Sequence, residues 1–244
     1  KKIFKKIEKK PFVHLIVDNF LKKKLLKKII NELPNFKDKI WHEYSNYCEE
    51  KKTCNQWNHL KPNTYKFFSY LNSKEFTDKL EKIFLKKLFS DPGLHGAGIV
   101  IMKNNGGKLN PHLDNSVHPK NGMKRKYNLI FFLNEVWQEN WGGNLVFYKK
   151  NKFNTKMHGE ISKKIAPKLN RLVIFDSSQN SWHGVERIKK AGDITGGNFK
   201  RDGSYPDKKL DITTPTSDKA KELDGSYGGF QPKPAVEVVI VAMK

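Results

Sequence analysis

At Gly96 the apolar pattern of the chain changes period, and this break constrains the fold more than any other feature. Upstream, residues 20–33 set Leu21, Leu25, Leu26, Ile29, Ile30 and Leu33 at helical spacing, with lysines between them and Pro34 just beyond. That spacing predicts an amphipathic helix. A second helix is predicted from Asn72, where Asn72 and Glu75 suit a capping box, with Phe76, Leu80, Ile83, Phe84 and Leu88 as its buried stripe and an end before Asp91-Pro92-Gly93. Between the two, Trp41, Tyr44, Tyr47, Trp57, Tyr65, Phe67, Phe68 and Tyr70 are expected to pack the helices onto the downstream part of the chain.

Downstream of Gly96, short runs rich in β-branched and aromatic residues alternate with Gly, Asn, Pro and Lys clusters. The runs predict strands at 98–103, 109–114, 127–133, 144–148, 171–175, 183–188 and 235–242. Successive strands without intervening helices argue for a β-sandwich or jelly roll, because a parallel sheet would need a crossover helix between its strands. The reading is one compact α+β domain. Residues 1–95 form a helical, aromatic-rich support, and residues 96–244 form the β core. The runs 129–133 and 236–242 are apolar at consecutive positions, as expected where helices cover the outer side of a sheet. Residues 189–234 are rich in Gly, Lys, Asp, Ser, Thr and Pro and too long for an ordinary connection, which predicts an insertion or lid.

The 47 basic and 25 acidic residues give a formal charge of +22, which raises the question of nucleic acid. Bidentate reading of phosphate or guanine favours arginine, yet the arginines are Arg125, Arg171, Arg187 and Arg201 alone. The lysines are spread along the chain, so a solvated basic face is the favoured reading and nucleic acid a possible but unfavoured partner. Two cysteines, Cys48 and Cys54, exclude a disulfide scaffold and are too far apart for a CxxC pair. No apolar run approaches the roughly 20 residues of a membrane helix. With no charged leader and cleavage site at the start, a reducing, cytoplasmic setting is expected.

One triplet carries chemistry. In His112-Leu113-Asp114, on a predicted strand, side chains at i and i+2 leave the same face, so the imidazole and the carboxylate can share one ion. His183 opens a later strand that can pair beside them. Two histidines and one carboxylate cover a triangular face of an octahedron and leave three positions open, which suits non-haem Fe(II); a structural zinc site would be closed and usually hold cysteine. Alone, the triplet is also what a surface histidine beside a solvated aspartate looks like.

Five ordered motifs supply the context: Gly106-Gly107-Lys108-Leu109 before the triplet; residues 127–134 followed by Trp137; Trp141-Gly142-Gly143-Asn144-Leu145; residues 165–175; and Ser181-Trp182-His183-Gly184-Val185. Together they resemble the Fe(II)- and 2-oxoglutarate-dependent dioxygenases, in the prolyl 4-hydroxylase-like branch, and the opening from Pro11 to Leu21 is similar to the start of such proteins. The resemblance implies a double-stranded β-helix core and His112, Asp114 and His183 as iron ligands. It also implies 2-oxoglutarate and O2 as co-substrates and hydroxylation of a C–H bond with release of succinate and CO2, the substrate being a prolyl residue of a protein or a small molecule. Phe131 stands where a strand side chain would line the co-substrate pocket or serve as an ordinary core aromatic. Trp141-Gly142-Gly143 reads as architecture.

The resemblance further implies a basic residue for the distal carboxylate of 2-oxoglutarate, on the strand after the second histidine and about nine to fourteen positions on. Glycines occupy much of that window; Lys189 and Lys190 fall slightly early, Lys200 and Arg201 slightly late. Arg201 is the choice, because a planar fork suits a carboxylate. Should Lys189 or Lys190 serve instead, the closing strand would come from residues 235–242. Two other functions fit the same strands: a nucleic-acid demethylase of the same superfamily, with a basic groove beside the iron, and a metal-free jelly-roll binding module.

Overall fold

A computed structural model of the chain describes residues 7–114, 117, 118, 120–154 and 156–189, and for 236–243 the backbone alone. The elements run in the order β1 (His14–Val17), α1 (Lys23–Glu32), β2 (His42–Ser45), β3 (Glu49–Cys54), α2 (Pro62–Leu71), α3 (Lys74–Phe84), β4 (Phe89–Ser90), β5 (Gly98–Ile101), β6 (Lys108–His112), β7 (Arg125–Phe132), β8 (Leu145–Lys150), β9 (His158–Ile165), β10 (Arg171–Asp176), β11 (His183–Val185) and β12 (Val236–Met243). Ten strands form the path β1-β10-β7-β12-β5-β3-β6-β11-β8-β9, with β2 paired to β3 and β4 to β12. The sheet rolls over on itself, so that β8 and β11 face β10: Phe147 lies 5.2 Å and His183 4.7 Å from the Phe175 ring. This is a jelly roll with helices on one outer face, an α+β fold.

Alternation along β7 and β10 explains the consecutive apolar residues. Tyr127, Leu129, Phe131, Leu172 and Ile174 pack with the helices, while Ile130, Phe132, Val173 and Phe175 pack with Leu145, Phe147 and Ile165 between the rolled layers. Residues 129–132 of β7 and 172–175 of β10 are therefore apolar at consecutive positions, because both faces are covered. Helix α1 buries Leu26 and Ile29 against this layer.

Helix α2 has no clear signature in the aromatic stretch. Pro62 sits in its first turn, and its end is capped from α1: Glu32 accepts from the amides of Asn63 at 3.0 Å and Thr64 at 2.7 Å. That cap lies 31 and 32 residues upstream, beyond any local signal. Helix α3 begins one residue later than expected, with Ser73 Oγ accepting from the Phe76 amide at 3.2 Å. Glu75 is not a capping partner and pairs instead with Lys79. The first 95 residues, expected as a helical support, also supply β1, β2, β3 and β4. Strand β9 is likewise absent from the strands expected, because its exposed Glu160, Ser162 and Lys164 hide the alternation of an edge strand. The insertion expected at 189–234 lies, apart from Lys189, outside the described residues.

Candidate metal centre and its cavity

Strands β6 and β11 are antiparallel neighbours, and the register sets His183 directly opposite His112. Their rings lie 4.3 Å apart, centroid to centroid. Asp114 is two residues past the end of β6 rather than on the strand, and its carboxylate returns to the two imidazoles: Oδ1 is 3.7 Å from His112 Nε2 and Oδ2 is 3.5 Å from His183 Nε2. One potential ligand atom from each of the three lies within 4.8 Å of the others, the group of this kind found among the described residues. His112 Nδ1 is 2.9 Å from the Asn110 carbonyl, and His183 Nδ1 is 2.9 Å from the Ser181 carbonyl. A carbonyl only accepts, so each Nδ1 carries a proton and Nε2 is the ring nitrogen turned toward Asp114.

The electrostatics suit a cation. Burial, then the neighbouring His183, pulls the His112 pKa down to about 4, so this imidazole is neutral at physiological pH. Burial pushes the Asp114 carboxyl up, but His183, Arg125, His112 and the Asn128 amide more than offset it and hold the group below the usual carboxylate range. Two imidazoles and an ionised carboxylate are the donor chemistry of an open divalent metal site. The cysteines contribute nothing to it: Cys48 is exposed and Cys54 buried elsewhere.

Three further residues hold Asp114, and none of them is singled out by the sequence motifs. Asn128 donates to Oδ2, Ser177 Oγ lies 3.5 Å from the same oxygen, and Arg125 Nη1 is 3.2 Å from Oδ1. Asn128 had a signal: it is the polar residue inside the apolar run 127–133.

The centre borders a cavity of about 160 Å³. Val100, Met102, Leu109, Ile130, Leu145 and Val185 form its apolar wall, Tyr44, Lys51, Thr53 and Asn55 line it from the β2–β3 hairpin and its exit, and Arg125 and Asn128 lie with the triad. Phe131 is not a pocket residue. It is fully buried on the opposite face of β7, 5.1 Å from the Phe67 ring and 5.9 Å from Phe20. The correction has its reason in strand parity: Asn128 and Ile130 face the cavity, so the odd-numbered neighbour turns toward the helices.

Arg201 lies outside the described residues, as does Lys190. Lys189 is exposed and its amide donates to the Trp141 carbonyl. Among the described residues, the next strand after β11 in sequence is β12, which begins at Val236 and lies between β5 and β7. Gly142 has the architectural role expected, with φ +71° and a would-be Cβ only 2.4 Å from the Arg187 carbonyl.

A rolled antiparallel sheet with two imidazoles and a carboxylate converging beside a half-apolar cavity has the donor set of an open divalent metal centre. Comparison with known proteins narrows the class. Residues 97–199 match the family described as the 2OG-Fe(II) oxygenase superfamily, a span that includes all three converging residues. The fold is similar to a prolyl hydroxylase from Trichoplax adhaerens, solved in complex with a hypoxia-inducible-factor oxygen degradation domain peptide fragment (TM-score 0.54, 14% identity, 94% of this chain and 82% of that one). It is also similar to a Pseudomonas putida prolyl-4-hydroxylase (TM-score 0.55, 10% identity, 94% and 90% covered). A third likeness is to a viral collagen prolyl hydroxylase from Paramecium Bursaria Chlorella virus-1 (TM-score 0.50, 12% identity, 94% and 95% covered). At such identities these likenesses speak for the fold. No curated protein matches the chain. Over residues 97–199 the chain is thus similar to the 2OG-Fe(II) oxygenases, which use Fe(II), 2-oxoglutarate and O2. Among the described residues, no helix is long and apolar enough to cross a membrane.

Proposed function

We propose that His112, Asp114 and His183 hold Fe(II) and that the chain hydroxylates a prolyl residue in a peptide, with 2-oxoglutarate converted to succinate and CO2. The observation that carries the reading is the convergence of two Nε2 atoms on one ionised carboxylate at the wall of the cavity. The bound iron supplies the oxidising chemistry, by which one oxygen atom enters a C–H bond. The chain's own residues do the rest. The carbonyls of Asn110 and Ser181 fix the ring rotations, Asn128 and Arg125 fix the carboxylate, and Val100, Met102, Ile130 and Leu145 exclude water from the reacting centre.

A peptide substrate fits the site's surroundings. The β2–β3 hairpin brings Tyr44, Lys51 and Thr53 to the cavity, a mixed apolar and polar rim that can hold a chain by its backbone as well as a pyrrolidine ring. The test is incubation of the protein with Fe(II), 2-oxoglutarate and a set of proline-containing peptides, read by mass spectrometry. The expected result is a gain of one oxygen on proline, with succinate formed in equal amount. Succinate formation coupled to a substrate other than a peptide would keep the oxygenase and overturn the prolyl substrate.

A further inference from the structure

Arg125 opens β7 and is buried, with 8% of its side chain exposed. Nη1 lies 3.2 Å from Asp114 Oδ1, and Nη2 donates to the His95 carbonyl at 3.2 Å. Gly96 makes room for this fork. Its φ is +67°, and a Cβ there would lie 2.8 Å from Nη2. Arg125 Nε, also buried, has no hydrogen-bond partner among the described residues, so the protein does not fully satisfy the guanidinium. The other cation lining the cavity, Lys51, is 2.7 Å from Glu49 and locally neutralised.

These facts fix the charge of the cavity wall. Asp114 and Arg125 cancel, and an imidazole that is a metal ligand is neutral. A divalent ion placed on the triad therefore keeps its double charge, uncompensated by its own carboxylate ligand. Such a centre attracts a doubly negative 2-oxoacid more strongly than one partly neutralised by Asp114 alone, while the bare ion is held less tightly. Resting on the proposed metal site, we infer that Arg125 is a positioning residue that sets this balance: it weakens retention of the bare metal ion and strengthens binding of 2-oxoglutarate to the loaded site.

The signature is a pair of shifts of opposite sign, which a role in holding the fold together would not produce. The experiment is calorimetric titration of the full chain without oxygen, first with Mn(II) and then with 2-oxoglutarate, in the wild type and in Arg125→Gln, Arg125→Lys and Gly96→Ala. Arg125→Gln is expected to bind Mn(II) about three- to tenfold more tightly than the wild type, and 2-oxoglutarate roughly tenfold more weakly. Arg125→Lys keeps the charge and should hold 2-oxoglutarate within about threefold of the wild type. Gly96→Ala pushes the fork away from Asp114 and should weaken 2-oxoglutarate by about threefold without weakening Mn(II). Parallel weakening of both ligands in Arg125→Gln, or no change in either, overturns the inference. If that variant does not fold, a tenfold loss of 2-oxoglutarate affinity in Arg125→Lys overturns it equally. If the wild type takes up no Mn(II), or does so equally well after His183→Ala, the metal site itself is wrong, and this outcome is separate from the others.

Discussion

His112 and His183 face each other across the β6–β11 pair at a centroid separation of 4.3 Å, each with its Nδ1 on the carbonyl two residues before it. The pairing makes one site from residues 71 positions apart (183 − 112), and Asp114 closes it from beyond the strand end. Substitutions at the three should therefore act as one unit on metal binding and differently on stability.

Asp114→Asn keeps the shape and removes the charge, and it should lower Fe(II) affinity more than about a hundredfold, since replacing a ligand exceeds the 10- to 100-fold effects of outer partners. Asp114→Asn and Asp114→Ala should each also destabilise the metal-free protein by about 3 kcal/mol, because both leave Arg125 buried without its carboxylate. Equilibrium unfolding in urea, together with metal titration, separates the two effects. Wild-type stability in either variant would contradict the buried pair.

The metal-free protein should lose stability on mild acidification. The folded pKa of His112, about 4, lies below its ordinary value of 6.5, so the unfolded chain binds the proton first. That contribution is fully present above pH 6.5 and falls as the pH drops to about 4, with a slope of at most about 1.4 kcal/mol per pH unit. Asp114, depressed below 3.8, adds a second loss at still lower pH, as the pH falls through its folded pKa. Urea midpoints measured from pH 7 to 4 should fall more steeply in the wild type than in His112→Gln; identical slopes would contradict the burial of a neutral His112.

Phe131 belongs to the helix interface, and its substitution should separate stability from co-substrate binding. Phe131→Ala should cost roughly 3 to 5 kcal/mol, and Phe131→Leu less. In the leucine variant, 2-oxoglutarate affinity should stay within about threefold of the wild type, whereas a tenfold loss would return Phe131 to the pocket.

The position of Phe131 shows where sequence reading runs out. The break at Gly96, the jelly roll and the residues of the converging triad were legible, because ordered motifs and apolar runs carry them. The face of Phe131 was not, since a run apolar at every position has no parity until a neighbour such as Asn128 is seen against Asp114. Nor was α2, whose cap comes from Glu32 in another helix, nor β3, whose Lys51, Lys52 and Thr53 give no apolar alternation and which is placed by pairing with β5 and β6.

The distal carboxylate of 2-oxoglutarate gives a fourth prediction. Counting from His183 selects Arg201, but β12, the strand beside β7, begins 35 residues after it (236 − 201). In sequence, Lys233 stands three residues before that strand. Lys233→Ala is therefore expected to weaken 2-oxoglutarate at least tenfold, the scale of a charge-assisted pair, and Arg201→Ala by less than about threefold. Titration of the metal-loaded variants decides, and the reverse ranking would restore the count from His183.

The central claim is that the triad forms an iron centre that consumes 2-oxoglutarate, and succinate release tests it most directly. The wild type, supplied with Fe(II), 2-oxoglutarate and O2, should form succinate above the rate of iron alone, and His112→Ala, Asp114→Asn and His183→Ala should each reduce it to that background. Succinate formation undiminished in any of the three, or none in a wild type shown to be folded and to contain iron, would contradict the account.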